Sequence, residues 1–248
     1  MELKQFFYEN PRVALAFSGG VDSAFLLWAA RDAGADVTAY YVKSAFQPEF
    51  ELRDAQRLAE ELGAKMTVLT LDVLCDSAIT RNPADRCYHC KKRIFTAIVD
   101  AARADGYRVL IDGTNASDDA ADRPGIRALR ELSVRSPLCE CGITKDEVRR
   151  RSREAGLFTW DKPAYACLAT RIPTGEPITA EKLAKTERAE EFLERLGFRD
   201  FRVRLMGNSA KLQLREEQFP LLLQKRNDII AGLSPDYSSV LLDLEVRK

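Results

Sequence analysis

The first 160 residues alternate short apolar runs with longer amphipathic stretches. Val13 to Phe17 is an apolar run ending at a glycine turn, which predicts a buried strand. Ala24 to Ala33 reads as a helix stopped near Gly34, and Asp36 to Val42 (DVTAYYV) is rich in β-formers. From Glu49 to Gly63 the chain is charged, with Leu52, Ala55, Leu58, Ala59 and Leu62 on one helical face. Lys65 to Leu71 alternates as a strand. Cys90 to Asp105 predicts a helix, and Arg108 to Asp112 (RVLID) a further strand. Repeated β-α-β units of this size predict an α/β fold, a parallel sheet with helices on both faces. Ligands of such sheets bind at the carboxyl ends of the strands.

After Thr174 the pattern changes. Thr179 to Leu196 predicts a charged amphipathic helix, with Thr179 as N-cap and Gly197 as stop. Phe201 to Leu205 and Lys211 to Leu214 predict two strands around the turn MGNSA. Glu216 to Ile230 reads as a helix, and Ser239 to Val246 as a last strand. The expected division is therefore a large α/β domain over 1–173 and a smaller α+β domain over 174–248.

Composition narrows the function classes. Lys and Arg together number 38, as do Asp and Glu, so the formal net charge is zero. A general nucleic-acid binder carries a basic excess to neutralise phosphates, and none is present here. The N-terminal segment MELKQFFYENPRVALAFSGG is broken by charge and by Pro11, and its apolar run is too short for an export signal or a membrane span. The expectation is a cytoplasmic protein. Its six cysteines then suggest metal, cluster or catalytic use rather than a disulfide framework.

The sharpest local signal is Ser18-Gly19-Gly20-Val21-Asp22-Ser23, set between a predicted strand and a predicted helix. The glycine pair lets backbone N–H groups approach an anion, and the helix aims its positive end at the same spot. Ser18 and Ser23 add hydroxyl donors. The spacing of the phosphate loop G-x-x-x-x-G-K-[ST], and its lysine, are missing. A loop of this kind suits holding pyrophosphate as a leaving group; the bland alternative is a strand-to-helix turn. SGGVDS resembles the PP-loop of the ATP-pyrophosphatases, whose fold (adenine nucleotide alpha hydrolase-like) also serves tRNA thiolation enzymes, NAD and GMP synthetases and asparagine synthetase.

A second element, Asp112-Gly113-Thr114-Asn115 followed by Ser117-Asp118-Asp119, ends a predicted strand. Gly113 permits close backbone approach, and Asn115 offers a donor and an acceptor. Asp118 or Asp119 offers oxygen to Mg²⁺, or else the cluster is an N-cap. Cys87-x-x-Cys90 and Cys139-x-Cys141 are pairs, while Cys75 and Cys167 stand alone. Both pairs together would make a zinc site; three cysteines would hold a cubane cluster with one open iron. Cys75, flanked by apolar residues, reads as an inert buried thiol. Cys167 has Lys162 five residues before and Arg171 four after, so it reads either as an activated thiolate or as a structural cysteine. His89 is the only histidine and lies inside C-x-x-C, which disfavours a histidine-based hydrolase. Trp28 and Trp160 read as packing residues.

Four further segments, NPADRCYHCKKRIF (82–95), DGTNASDDAADRPGIRAL (112–129), SPLCECGITKDEVR (136–149) and WDKPAYACLATRIPTGEPIT (160–179), resemble the LarE-type sulfur transferases. With SGGVDS the resemblance spans about residues 10 to 215, and the fourth segment is its most specific part. It implies that ATP and Mg²⁺ adenylate a carboxylate of pyridinium-3,5-biscarboxylic acid mononucleotide, followed by sulfur insertion. The product would enter nickel-pincer nucleotide synthesis, in functional linkage with the other enzymes of that route. The resemblance assigns nucleotide contacts to Ser18 through Ser23, Gly113, Thr114, Asn115, Asp118 and Arg123, and the sulfur chemistry to Cys167. Cys87, Cys90 and Cys167 also match the positions of a 4Fe-4S cluster in related thiolases, so sulfur comes from Cys167 itself or through such a cluster. Arg202 and Arg204, two residues apart on a strand, are placed at the substrate's phosphate; a solvated strand face is the alternative. Glu191 is a candidate metal ligand, and Gln213 stands where a second acid is expected. A homo-oligomer with no nucleic-acid or membrane partner is expected. Competing readings are a tRNA thiolase, an ATP-dependent amidotransferase or NAD synthetase-like ligase, and a nucleotide-sensing regulatory protein.

Overall fold

The computed structural model describes residues 2–118 and 124–245. In chain order the first elements are α1 (Leu3–Glu9), β1 (Arg12–Ala16), α2 (Val21–Asp32), β2 (Asp36–Lys43), α3 (Glu49–Glu61), β3 (Lys65–Thr70), α4 (Ser77–Thr80), α5 (Arg86–Ala104) and β4 (Leu110–Ile111). There follow α6 (Pro124–Glu131), α7 (Pro137–Glu140), α8 (Lys145–Glu154), α9 (Ala180–Arg195), β5 (Arg202–Met206), β6 (Ser209–Gln213), α10 (Phe219–Gln224), α11 (Arg226–Leu233) and β7 (Ser239–Leu242). No helix among the described residues is long and apolar enough to cross a membrane.

The chain forms two compact units: Met1–Asp72 with Asp85–Lys162, and Val73–Ala84 with Pro163–Lys248. The expected division was continuous and placed the change near Thr174. Segment 73–84 instead belongs with the C-terminal unit because its backbone is bonded there. Gly175 N donates to Asn82 O at 2.8 Å and Ile178 N to Thr80 O at 2.8 Å. The buried Asn82 amide donates to the carbonyls of Ile172 and Pro173. Cys75, expected to be buried, is exposed. It occupies a turn in this segment, and the buried positions are taken by Val73 and Ile79.

In the first unit four strands form a parallel sheet ordered β3-β2-β1-β4. Alternation along β1 divides the core between the two faces. Val13 and Leu15 join Phe6, Phe25, Leu26 and Leu58 on one side, while Ala14 joins Tyr40, Phe95 and Ile98 on the other. β4 is shorter than its predicted five residues, and Ile111 bridges in parallel to Arg135 beyond it. β2 lies on one side of β1 and β4 on the other, so the strand order reverses there. That reversal opens a crevice at the carboxyl ends of β1 and β4.

The second unit carries a three-stranded sheet ordered β5-β6-β7, with β5 and β6 antiparallel and β6 and β7 parallel. Its helix α9 begins as expected: Thr179 accepts a bond from Lys182 N, and Gly197 adopts φ 98 beyond the end. It buries Leu183, Thr186, Ala189, Glu190 and Leu193. The single helix expected over 216–230 is interrupted. Pro220 sits in the first turn of α10, where a missing N–H is tolerated, and the backbone leaves the helical region again at Lys225. The last strand ends at Leu242 rather than 246; Val246 lies outside the described residues.

Candidate active site

The SGGVDS loop lies at the reversal point, between β1 and α2. Gly20 is the N-cap of α2 and offers no side chain to occupy the first N–H groups of that helix. The loop holds itself with its own hydroxyls. Ser18 Oγ lies 3.1 Å from Ser23 Oγ, Ser23 Oγ donates to Gly20 O at 3.1 Å, and Ser18 N donates to Ser23 Oγ at 3.3 Å. Gly19 has φ 72, and a Cβ there would stand 3.1 Å from Ala55 Cβ on α3. Both its conformation and the helix behind it require glycine.

The loop after β4 meets this turn. A Cβ on Gly113 would stand 2.9 Å from Ser23 N, so the close approach expected of Gly113 is made to the N-terminus of α2. Asp112 is buried and accepts bonds from Thr114 Oγ1 at 2.5 Å and Ser136 Oγ at 2.6 Å. Asn115 is buried and donates its amide to Asp22 Oδ1 at 3.2 Å. Asp118 Oδ2 accepts from Asn115 N at 3.1 Å, which closes a turn. Asp119 and Arg123 lie outside the described residues.

At this loop one residue was not marked by the sequence. Lys145 Nζ is hydrogen-bonded to Asp22 Oδ2 across 123 positions of chain. The start of α8 is fixed against the β4 loop by two bonds, Ala116 N to Ile143 O at 2.9 Å and Lys145 N to Ser117 Oγ at 3.0 Å. The lysine lies within the quoted segment SPLCECGITKDEVR, but a lone lysine at a helix start has no spacing that marks it as phosphate-facing.

The cysteines sort by environment. Cys87 and Cys90 fall three residues apart in the first turn of α5, which begins four residues earlier than expected. They share a helical face, one exposed and the other half-buried. Cys139 is exposed on α7, whose N–H donates to Thr114 O at 3.2 Å. Cys141 is half-buried against the core, and burial pushes its thiol pKa up, so it stays a protonated packing residue. Among the described residues no group of three His, Cys, Asp or Glu is gathered to hold a metal ion. His89 pairs with Asp85 at 3.3 Å. Trp28 stacks on Phe25, a packing role as expected.

In the second unit Cys167 is half-buried at the head of a 3₁₀ turn, Leu168–Arg171. The turn is closed by Thr170, whose N and Oγ1 both donate to Cys167 O, at 2.9 and 2.8 Å. Arg171 is 1% exposed and grips Glu190 bidentately, at 2.7 and 3.0 Å, while its other nitrogen donates to Ala166 O. Burial opposes the Arg171 charge, but the Glu190 hydrogen bonds and charge outweigh it, and the pKa moves up. Its charge also interacts with Cys167. Tyr165 Oη and Val203 N complete the Glu190 carboxylate at 2.5 and 2.9 Å.

Glu190, which the sequence reading passed over, is thus the acid beneath the cysteine loop; Glu191 is half-buried beside it. Arg202 is buried and donates to the carbonyls of Phe201 and Ala164, and Arg204 donates to Thr170 O and to Gln213. Gln213 in turn donates to Asp243 at 2.7 Å. Both arginines therefore brace the segment that carries Cys167.

The sequence pattern of the family described as queuosine biosynthesis protein QueC matches residues 12–100. The pyridinium-3,5-bisthiocarboxylic acid mononucleotide synthase of Lactiplantibacillus plantarum is 38% identical over 83% of this chain and 75% of its own length. The chain belongs to the LarE-type sulfur transferase family. It is accordingly an ATP-dependent sulfur transferase of the PP-loop class. An uncharacterized protein of Synechocystis, slr1717, is 42% identical over 90% of this chain and 83% of that one. The tRNA-specific 2-thiouridylase MnmA of Frankia alni is 31% identical, over 61% of this chain and 53% of its own length.

Proposed function

We propose that this protein uses ATP and Mg²⁺ to adenylate a carboxylate of pyridinium-3,5-biscarboxylic acid mononucleotide, and then converts it to the thiocarboxylic acid for nickel-pincer nucleotide synthesis. The observation that carries the reading is the self-bonded SGGVDS turn at the uncapped N-terminus of α2, in a chain whose relative bears the matching synthase name. A carboxylate is a poor electrophile. Its attack on the α-phosphorus expels pyrophosphate, whose developing charge the loop N–H groups and the Ser18 and Ser23 hydroxyls stabilise. The carboxylate of Asp22 is a hard oxygen ligand suited to Mg²⁺, which would spread the charge on the leaving phosphates.

Cys167 then supplies the nucleophile. Its thiolate attacks the acyl carbon, AMP leaves, and a thioester forms. Loss of the Cys167 Cα proton and cleavage of its Cβ–S bond release the thiocarboxylate and leave dehydroalanine. Arg202 and Arg204 are offered to the mononucleotide phosphate, with nucleotide contacts from Gly113 through Asn115, Asp118 and Arg123. A 4Fe-4S cluster on Cys87, Cys90 and Cys167 is the competing sulfur route. Two cysteines on one helical turn suit two of the three ligands of such a set, but no complete set is gathered among the described residues, so no step is routed through it. We place the protein in the cytoplasm as a homo-oligomer that works with the other enzymes of this cofactor's synthesis.

The test incubates anaerobically prepared protein with Mg²⁺, ATP and the mononucleotide. Pyrophosphate release that depends on the mononucleotide is expected, together with protein lighter by H₂S. Multiple turnovers with added sulfide and unchanged protein mass would move the sulfur to the cluster route. Release of pyrophosphate only with tRNA would favour a thiouridylase.

A further inference from the structure

Arg204 braces the cysteine turn, and a second side chain aims Arg204. We propose that Gln213, anchored on Asp243, is a positioning residue that fixes Arg204 against the Cys167 turn and so governs sulfur transfer. The inference rests on the reading of Cys167 as the sulfur nucleophile and adds two residues to it.

The register brings these groups together. β5 and β6 pair Arg202 with Gln213 and Arg204 with Lys211, so the four side chains share one face of the sheet. Just past β7, Asp243 N donates to Leu212 O at 2.9 Å, which continues the pairing and sets this acid beside Gln213. A chain of bonds then crosses the face. Gln213 Nε2 donates to Asp243 Oδ2 at 2.7 Å, Arg204 Nε donates to Gln213 Oε1, and Arg204 Nη1 donates to Thr170 O at 2.7 Å. Thr170 N and Oγ1 in turn donate to Cys167 O.

The chemistry explains why the middle residue is glutamine. A guanidinium only donates, and an ionised carboxylate only accepts. Asp243 also accepts from Lys211 Nζ at 2.8 Å, and the bonds from Lys211 and Gln213 hold its carboxyl below the usual carboxylate range. The group between Arg204 and Asp243 must therefore accept on one side and donate on the other. A primary amide does both, and its two partners leave it a single orientation. An ionised glutamate at 213 could meet Arg204 but would set a second negative charge against Asp243. Gln213 thus converts a fixed acid at the end of β7 into a fixed direction for Arg204. One guanidinium nitrogen is committed to the amide and another to the turn, which sets the plane of the group.

Anaerobic single-turnover reactions at saturating ATP and mononucleotide, with pyrophosphate and thiocarboxylate both measured, test this. Gln213→Leu keeps the bulk and removes both bonds. Thiocarboxylate formation should fall about ten- to a hundredfold, while pyrophosphate release stays within about twofold of the native rate. The double variant Gln213→Glu with Asp243→Asn exchanges carboxylate and amide. Position 213 then accepts from Arg204 and from the new amide, both bonds survive, and most of the rate should return. Lys211→Met removes the other partner of Asp243, leaves the chain of bonds intact and should transfer sulfur at the native rate. A second measurement needs no substrate. Alkylation of each cysteine, read by peptide mass spectrometry, should quicken at Cys167 in Gln213→Leu and stay unchanged at the exposed Cys87 and Cys139. Native sulfur transfer in Gln213→Leu would overturn the inference. So would a double variant no better than Gln213→Leu at native thermal stability, because the bonds and not the fold are what the inference invokes. Quickened Cys167 alkylation in Gln213→Leu, with no thiocarboxylate from the wild type, would defeat the nucleophile reading and leave the positioning role standing.

Discussion

The phosphate loop and the cysteine loop solve the problem of positioning in opposite ways. In the first unit, a six-residue turn is held by its own hydroxyls, by glycines that let Ala55 and the β4 loop pack close, and by the helix dipole of α2. Apart from Asp22 its parts are small, neutral or backbone, and most lie within six positions of one another. In the second unit, Cys167 is held by charged side chains, most of them distant in sequence: Arg171, four residues on, grips Glu190, and Arg202 and Arg204 grip the carbonyls of Ala164 and Thr170. A site that binds an anion needs N–H groups and room. A site that presents a thiol needs a strand of irregular backbone fixed without secondary structure, and buried guanidinium groups with several donors do that.

The contrast is broken most directly at Cys167. Cys167→Ala should abolish sulfur transfer while pyrophosphate release continues at close to the native rate, because the loop that holds the leaving group contains no part of the cysteine turn. Quantifying thiocarboxylate and pyrophosphate in the same reaction checks it. Loss of both together would mean that the two sites act as one.

At the phosphate loop the most damaging small change should be Gly113→Ala. The added carbon would stand 2.9 Å from Ser23 N, a backbone atom that cannot yield without moving the start of α2. A displacement of this order in a preorganised site costs on the order of 10²-fold in rate. Steady-state pyrophosphate release should fall by about that factor, while thiol reactivity of Cys167 toward an alkylating reagent stays as in the native chain.

At the cysteine loop the corresponding change is Arg171→Met. It leaves Glu190 as an uncompensated buried carboxylate, and breaking such a pair costs about 3–5 kcal/mol. Denaturant titration beside the native protein should read that loss; a midpoint unchanged from the native one would remove the Arg171–Glu190 pair from this role.

The same contrast explains what the sequence disclosed. SGGVDS, the strand before it and the DGTN turn are local, and their positions follow from glycine and the apolar pattern within one β-α unit. The amphipathic helix α9 was equally plain from Thr179 to Gly197. Lys145 and Glu190 were not, because each acquires its partner only through tertiary packing, over 123 and 19 residues respectively. Glu190 even lies on the buried face of α9, where a charged residue is expected only when paired; a carboxylate at an apolar position of the helical pattern was the signal available. The burial assigned to Cys75 failed because apolar neighbours within a turn need not share a side, and Val73 and Ile79 alone turn inward. The helix over 216–230 failed at Pro220, a residue that starts helices more readily than it continues them.

The finest test compares two equivalent caps, one in each unit. Thr144 begins α8 and Thr179 begins α9, and each accepts a bond from the backbone N–H three residues on, at 3.4 and 3.2 Å. Removing either hydroxyl by substitution to alanine should cost about 1 kcal/mol of stability. Their functional consequences should differ. Thr144 fixes the helix start from which Lys145 reaches Asp22, so Thr144→Ala should weaken pyrophosphate binding several-fold beyond its effect on AMP. Thr179→Ala lies outside both loops and should show the stability loss alone. Matched melts with unequal pyrophosphate affinities would tie the start of α8 to the phosphate site. Matched affinities would reduce Thr144 to an ordinary cap.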